Sequence, residues 1–332
     1  MPSMNQQVRL ASRPTGAASL SNFRIVSVSL APLVEGQVRV RNHFLSLDPY
    51  MRGMMNDTKS YTAPQKLDSV MAGATAGVVT ESRNSQWHEG DTVLGMFGWQ
   101  EYGLSDGTDI NRIDTTHVPL SAYLGVLGMP GVTAWYGLNR ICAPKQGETV
   151  AVSAASGAVG SVVGQLAKRH GCRVVGIAGG SEKCRYVVQE LGFDACVDYK
   201  AGALADAVHA AAPGGIDGYF DNVGGAVLDA VMAGMNAHGR IAVCGAIAGY
   251  DGAPLVMANP TLILLSRLRI EGFIIAEHMD VWPVALKELG GLLAAGQLKF
   301  RESVAQGLAS APEAFLGLLQ GRNFGKQVVK LV

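Results

Sequence analysis

The chain has 332 residues, 48% of them hydrophobic and only 16% charged, enough apolar material to bury a core across two domains and far from a peptide or a disordered chain. Lys+Arg and Asp+Glu stand at 27 each, so the net charge is zero and no basic field exists to hold nucleic acid or an acidic membrane surface. Residues 1–13 are polar without an apolar h-region, and no uninterrupted apolar run approaches the roughly 18 residues of a membrane span, so a cytoplasmic protein is expected.

Short β-rich runs bounded by Gly, Asp, Asn or Pro open the chain at 23–30, 35–47, 70–81 and 92–97, and predict a mainly β domain. From Gly147 the rhythm changes to strands of about five residues alternating with helical stretches, the signature of βαβ units around a parallel sheet. Strands are expected at 149–153, 173–177, 195–198, 218–221, 240–244 and 269–275. Helices are expected at 158–169, 182–191, 202–211, 227–235 and near 260–266. A late helix at 312–319 and a closing strand at 327–331 would rejoin the β-rich part. The fold class is therefore α/β, a doubly wound parallel sheet with a second, mainly β domain. Glycine, at 42 residues, exceeds ordinary usage without the every-third-residue period of collagen, which implies many tight turns.

The strongest motif runs from Glu148 to Gly160, where a buried-type strand enters Ala154-x-x-Gly157-x-x-Gly160 and then a helix. Such a turn lets backbone amides approach a pyrophosphate at a helix N-terminus, whereas a bare glycine turn without ligand is the alternative. An NAD enzyme would place Asp or Glu at the end of the next strand, but here stand Ala178, Gly179, Gly180 and Ser181, with Lys183 close behind. The missing carboxylate removes repulsion toward a 2′-phosphate, so NADP(H) is expected over NAD(H). Lys183 taken alone, without the missing acid, would read as a solvated lysine at a helix start.

The cysteines, at 142, 172, 184, 196 and 244, include no C-x-x-C pair and read as reduced thiols. Residues 1–141 contain none, and His43, His88 and His117 lack ligand spacing, so no metal is expected. No Gly-x-Ser-x-Gly elbow or Cys/His pair supports covalent hydrolysis, which leaves hydride transfer from a nicotinamide as the chemistry.

Five segments carry a family likeness that covers nearly the whole chain. They are Leu-Ser-Leu-Asp-Pro-Tyr-Met-Arg at 45–52, Gly-Met-Pro-Gly-Val-Thr-Ala-Trp at 128–135, the fingerprint region through 180, Tyr-Phe-Asp-Asn-Val-Gly-Gly at 219–225 and Gly-Arg-Asn-Phe-Gly-Lys at 321–326. The chain resembles the zinc-independent medium-chain dehydrogenase/reductases, in the branch of leukotriene hydroxydehydrogenase/prostaglandin reductases, alkenal double-bond reductases and curcumin reductase. The resemblance implies a GroES-like substrate domain over 1–122 and 304–332, a Rossmann NADP(H)-binding domain over 123–303, and commonly a homodimer through the edge of the cofactor sheet. It implies NADPH-dependent reduction of the carbon–carbon double bond of small hydrophobic α,β-unsaturated aldehydes and ketones. By matching positions, Gly157, Ala158, Val159 and Gly160 would hold the pyrophosphate, Lys183 and Tyr199 the 2′-phosphate end, and Asn222 the adjoining region. Cys244, Gly245, Ala246, Ile247, Tyr250, Phe273, Ile274, Ile275 and Asn323 would line the nicotinamide half, with Tyr50 and Tyr250 near the substrate.

On that reading Tyr250 polarises the substrate carbonyl while hydride reaches the β-carbon and an enolate forms. Tyr250 reads alternatively as a polar loop residue, and Tyr50 as a packing residue in a Pro-initiated turn. Met51, Met54, Met55 and Met129 offer an adaptable apolar pocket or plain core filling. Quinone reduction from the same hydride source, and a non-catalytic NADPH-binding protein, remain the competing functions.

Overall fold

The structure, a computed structural model, describes residues 4–332. The chain divides into one unit of 1–125, 302–323 and 327–332 and a second of 126–301 and 324–326; residues 1–3 lie outside the described residues.

Alternating burial shapes the first unit. Strand β1 (Met4–Leu10) turns Asn5, Gln7, Val8 and Leu10 inward and pairs antiparallel with β2 (Phe23–Ser29). The main sheet is centred on β3 (Val38–Ser46), which pairs antiparallel with β4 (Thr75–Ser82) and β6 (Tyr102–Ser105). β5 (Thr92–Gly95) and β7 (Ile110–Arg112) extend it on one side, and β14 (Glu302–Gln306) and β15 (Lys326–Lys330) on the other. The closing strand thus does rejoin the β-rich part, lying directly against β3. Helix α1 (Tyr50–Met54) leaves β3 through Pro49, whose fixed φ suits a helix start. Late helix α9 (Ala311–Leu319) brings Phe315 edge-on to Trp99, their ring centres 5.5 Å apart, while Phe23 stacks on the same indole at 5.7 Å.

The second unit is a six-stranded, all-parallel sheet. Its strands are β8 (Thr149–Ser153), β9 (Arg173–Ala178), β10 (Ala195–Asp198), β11 (Ile216–Asp221), β12 (Met235–Val243) and β13 (Arg269–Gly272), in the order β10-β9-β8-β11-β12-β13. Because the order reverses between β8 and β11, a crevice is expected at their carboxyl ends, which is where dinucleotides bind in such sheets. β8 is buried along its whole length, as a central strand covered on both faces must be. Helix α2 (Met129–Tyr136) leads into the unit, and α3 (Gly160–Arg169), α4 (Ser181–Gln189), α5 (Leu204–Ala211) and α6 (Gly225–Met232) connect the strands. α3 approaches the chain after α4 so closely that a Cβ on Gly164 would lie 1.8 Å from the Phe193 ring.

Several elements differ from the sequence expectation. Met235 begins β12 rather than ending a helix, and β13 stops at Gly272, so residues 273–275 have left the sheet. α7 (Thr261–Leu265) is a single short turn or so. α8 (Trp282–Ala294) had no counterpart in the sequence reading, because Gly290 and Gly291 inside it have low helix propensity; Ala285, Leu289 and Leu292 nevertheless bury one face of it. Strands β1, β6, β7 and β14 are short or half-exposed and carry too weak an alternation to stand out.

Candidate active site

The chain turns from β8 into α3 within residues 154–159. Ala154 takes a left-handed φ of 48°, the Gly157 amide donates to the Ala154 carbonyl at 2.8 Å, and the Ser161 amide returns to the Gly157 carbonyl at 3.1 Å. A Cβ on Gly160 would sit 2.4 Å from the Ala154 oxygen, so the helix can start this close only with glycine there. At Gly157 a Cβ would meet nothing within 4 Å except Ala154 atoms, which leaves that side of the backbone open to a ligand. In the first turn of α3 the Val162 and Val163 amides likewise donate to the Val159 carbonyl, each at 3.0 Å, which brings the helix N-terminus up against the turn. Gly157, Ala158, Val159 and Gly160 thus form a tight turn that leads into the N-terminus of α3.

At the end of β9, Gly180 adopts φ 97° and its amide donates to Asp198 Oδ1 at 2.8 Å, as does the Lys200 amide at 3.0 Å. These two backbone bonds hold the Asp198 carboxyl below its usual range and spend its acceptor inward. Tyr199, half-exposed, folds over Gly179, where a Cβ would lie 2.8 Å from its ring. Lys183 stands half-buried in the first turn of α4; burial and then the charge of Lys200 push its ammonium pKa down. With Ala178 closing β9, this corner presents two lysines and a tyrosine, a fit for the phosphorylated rather than the unphosphorylated dinucleotide.

Across the switch point the Asn222 side chain is tied to β8: its amide nitrogen Nδ2 donates to the Ser153 carbonyl at 2.7 Å and its backbone amide to Ser153 Oγ at 2.8 Å. Beneath it Asp221 is fully buried. Its Oδ1 accepts from the Tyr219 hydroxyl at 2.7 Å, Ser153 Oγ at 3.1 Å and the amides of Val223 and Gly224 at 2.9 and 3.0 Å. Oδ2 is buried with no partner. The amides of Cys244 and Gly245 both donate to the Asp221 carbonyl, so this residue also fixes the start of the loop after β12. Burial and then the Asp221 charge push the Cys244 thiol up to about 12, which keeps it protonated. Sequence reasoning misses Ser153 and Asp221; a serine and an aspartate closing two buried central strands are the signal that marks them.

Ala246 and Ile247 continue that loop, and Tyr250 follows a 3-10 turn (Ile247–Gly249) that brings its hydroxyl back to 3.7 Å from where a Gly245 Cβ would be. Burial raises the Tyr250 phenol, opposed by a hydrogen bond with the Ala246 backbone and aided by Cys244, so the group stays in its donating form. The Phe273 ring packs edge-on to Phe220 and tilted against Tyr136, which leaves its backbone, with that of Ile274, as what it can offer a ligand; Ile275 is buried. In the first unit, Asn323 lines a surface cavity of about 280 Å³ with Ser303, Arg322 and Gln327. Tyr50 opens α1 half-buried, and burial, then the charges of Asp48 and Tyr61, raise its phenol pKa strongly. Met51 and Met55 are wholly buried in the cluster around Trp99 and fill the core there. Among the described residues no group of three or more His, Cys, Asp or Glu side chains is placed to hold a metal ion, and no helix is long and apolar enough to cross a membrane.

Residues 6–113 match the family described as the N-terminal domain of oxidoreductase, and residues 158–290 the family described as zinc-binding dehydrogenase. These two modules define an oxidoreductase of the medium-chain dehydrogenase/reductase class. The chain is 45% identical to the NADPH-dependent curcumin reductase of Escherichia coli (strain K12) over 98% of its own length and 97% of the relative's. It is 43% identical to the 2-alkenal reductase (NADP(+)-dependent) of Nicotiana tabacum, again covering 98% and 97%. The crystal structure of CurA in complex with NADPH from Vibrio vulnificus superposes with a TM-score of 0.94 at 43% identity, covering 98% of this chain and 99% of that one. The chain belongs to the zinc-independent branch of the medium-chain dehydrogenase/reductase family that contains these reductases.

The Asp221 network yields a direct test. Asp221→Ala would leave the Tyr219 hydroxyl and two amides short of their acceptor, at about 1–3 kcal/mol each, so a loss of at least about 3 kcal/mol is expected from urea unfolding. Asp221→Asn, which keeps one oxygen to accept, should lose markedly less; equal stability of all three proteins would show that the network carries no load.

Proposed function

We propose that this protein reduces the carbon–carbon double bond of α,β-unsaturated aldehydes and ketones with NADPH. The observation that carries the reading is the pairing of an open glycine turn after β8 with a corner that offers Lys183 and Tyr199 and closes β9 on Ala178 in place of a carboxylate. The NADPH-dependent names of the curcumin and alkenal reductases, each matched over nearly the whole chain, support the same cofactor and substrate class. Bound NADPH supplies a hydride for the β-carbon of the enone. The chain's own part is to hold and polarise. The turn of 157–160 receives the pyrophosphate, Asn222 is fixed by two bonds to Ser153 beside it, and the loop of 244–250 is anchored by Asp221. Tyr250, kept protonated by burial, donates a hydrogen bond to the substrate carbonyl oxygen as negative charge grows there. Tyr50 is a second candidate contact for the substrate.

The active form we propose is a homodimer joined at β13. This strand is the edge of the parallel sheet, and Val256, Leu264 and Leu265 are strongly exposed next to it in sequence, an apolar surface of the kind that marks association. Five free cysteines suit the reducing cytoplasm as its compartment.

NADPH oxidation followed across a panel of enals, enones and quinones tests the reading, with fastest turnover expected on enals and enones; turnover of quinones alone, or of nothing, overturns it. Lys183→Ala should weaken NADPH binding by about tenfold, or about 1.4 kcal/mol, and leave NADH within about twofold; equal losses would remove Lys183 from 2′-phosphate recognition. For Tyr250→Phe, the loss of one oxyanion donor predicts a kcat about 10²-fold lower with NADPH affinity kept, and unchanged turnover takes Tyr250 out of the mechanism. Light scattering should report a dimer for the native chain and a monomer for Leu264→Asp/Leu265→Asp; a native monomer refutes the proposed assembly.

A further inference from the structure

Residues 324–326 belong to the parallel-sheet unit although the residues on both sides of them belong to the β-rich one. Three contacts account for this. The Arg301 guanidinium lies 4.0 Å from the centre of the Phe324 ring, and the Tyr186 ring meets Phe324 edge-on at 4.9 Å and 84°. The Arg301 carbonyl accepts the Lys326 amide at 2.9 Å, so one residue grips the segment by its side chain and by its backbone. Between the two grips stands Gly325. Its φ is +71°, and a Cβ there would lie 1.9 Å from the Arg301 oxygen, so the position takes only glycine.

Gly325 is also where the segment reaches the fingerprint turn. Its amide donates to the Ser156 carbonyl at 3.0 Å, and Gly325 and Gly157 form a parallel bridge. Ser156 and Gly157 therefore have their backbone direction set from outside the β8–α3 unit, by a residue 168 positions on in the chain. Without that bond the turn keeps its own local bonds and one from the Ala155 amide to the Ile177 carbonyl at its start, and a glycine-rich turn held only at that end samples more conformations than the one a pyrophosphate can use.

We propose that Phe324, clamped between Arg301 and Tyr186, is a positioning residue for the pyrophosphate turn, acting on cofactor affinity through the Gly325–Ser156 bond. It touches no reacting atom. Phe324 is held in place, Gly325 follows it, and the turn is pre-set before the dinucleotide arrives. The inference rests on the cofactor reading above and adds to it a residue remote from the fingerprint in sequence.

Calorimetric titration of NADPH into the full-length protein and its Phe324→Ala, Phe324→Tyr and Arg301→Ala variants tests it, beside hydrogen exchange at residues 154–160 without nucleotide. Loss of the cation–π and edge contacts predicts an NADPH Kd about tenfold higher for Phe324→Ala and Arg301→Ala, and near-native affinity for Phe324→Tyr, which keeps the ring. Exchange should quicken at 154–160 while the strands β9 and β12 keep native protection, and KM for NADPH should rise with kcat at saturation held within about twofold. Native affinity in Phe324→Ala, equal weakness in Phe324→Tyr, or faster exchange spread over the whole unit would each overturn the proposal. Failure of the native protein to bind NADPH is a different result, and it would sink the cofactor reading instead.

Discussion

A parallel sheet whose strand order reverses leaves its two central strands ending side by side with the connections departing to opposite faces, and the backbone there must be satisfied without filling the gap. In this chain the problem is solved by Asp221. One of its oxygens gathers the Tyr219 hydroxyl, Ser153 Oγ and two amides, and its own carbonyl takes two more amides from the loop after β12. Three connections are thereby tied to one residue, and the crevice between β8 and β11 stays open because its polar groups point back into the sheet. Asn222 then needs only Ser153 to fix it at the rim.

The turn after β8 depends on a different economy, one of volume. Gly160 lets the helix begin within van der Waals distance of Ala154, and Gly164 lets the same helix lie on Phe193. Close packing of α3 brings the positive end of its dipole to the carboxyl ends of the strands, where it can meet an anion held at the crevice. The adenosine corner is built by the same logic with opposite chemistry. At the end of β10, Asp198 Oδ1 accepts the amides of Gly180 and Lys200, while Lys183 and Lys200 supply the corner's cations.

The sequence makes the parallel unit far more readable than the β-rich one. Buried central strands such as β8 and β9 are unbroken apolar runs with a glycine turn behind them, and their bounds fall within a residue or so of expectation. Half-exposed strands such as β7 and β14 offer three to five residues of weak alternation, and α8 hides behind its Gly290–Gly291 pair because tertiary burial, and not propensity, forms it. Of the candidate site, the glycines and Lys183 stand out in the sequence because they follow two predicted strands and the second of these lacks a closing carboxylate. Ser153 and Asp221 do not, since their role exists only where two strands 68 residues apart come together.

That distinction bears on how cofactor affinity is distributed along the chain. A motif of glycines supplies the space for a pyrophosphate but cannot by itself hold the turn in one conformation, since the residue type that permits close approach is also the one with most freedom to lose. Rigidity has to come from groups with side chains, and here these are remote in sequence: Asp221 and Ser153 at the switch point, Arg301, Tyr186 and Phe324 behind the turn. Substitutions at such positions leave the fingerprint intact and still alter binding, because what they change is the fraction of time the turn spends ready. In this chain the conformation of the turn therefore rests on aromatic and charged residues around the glycines as much as on the glycines.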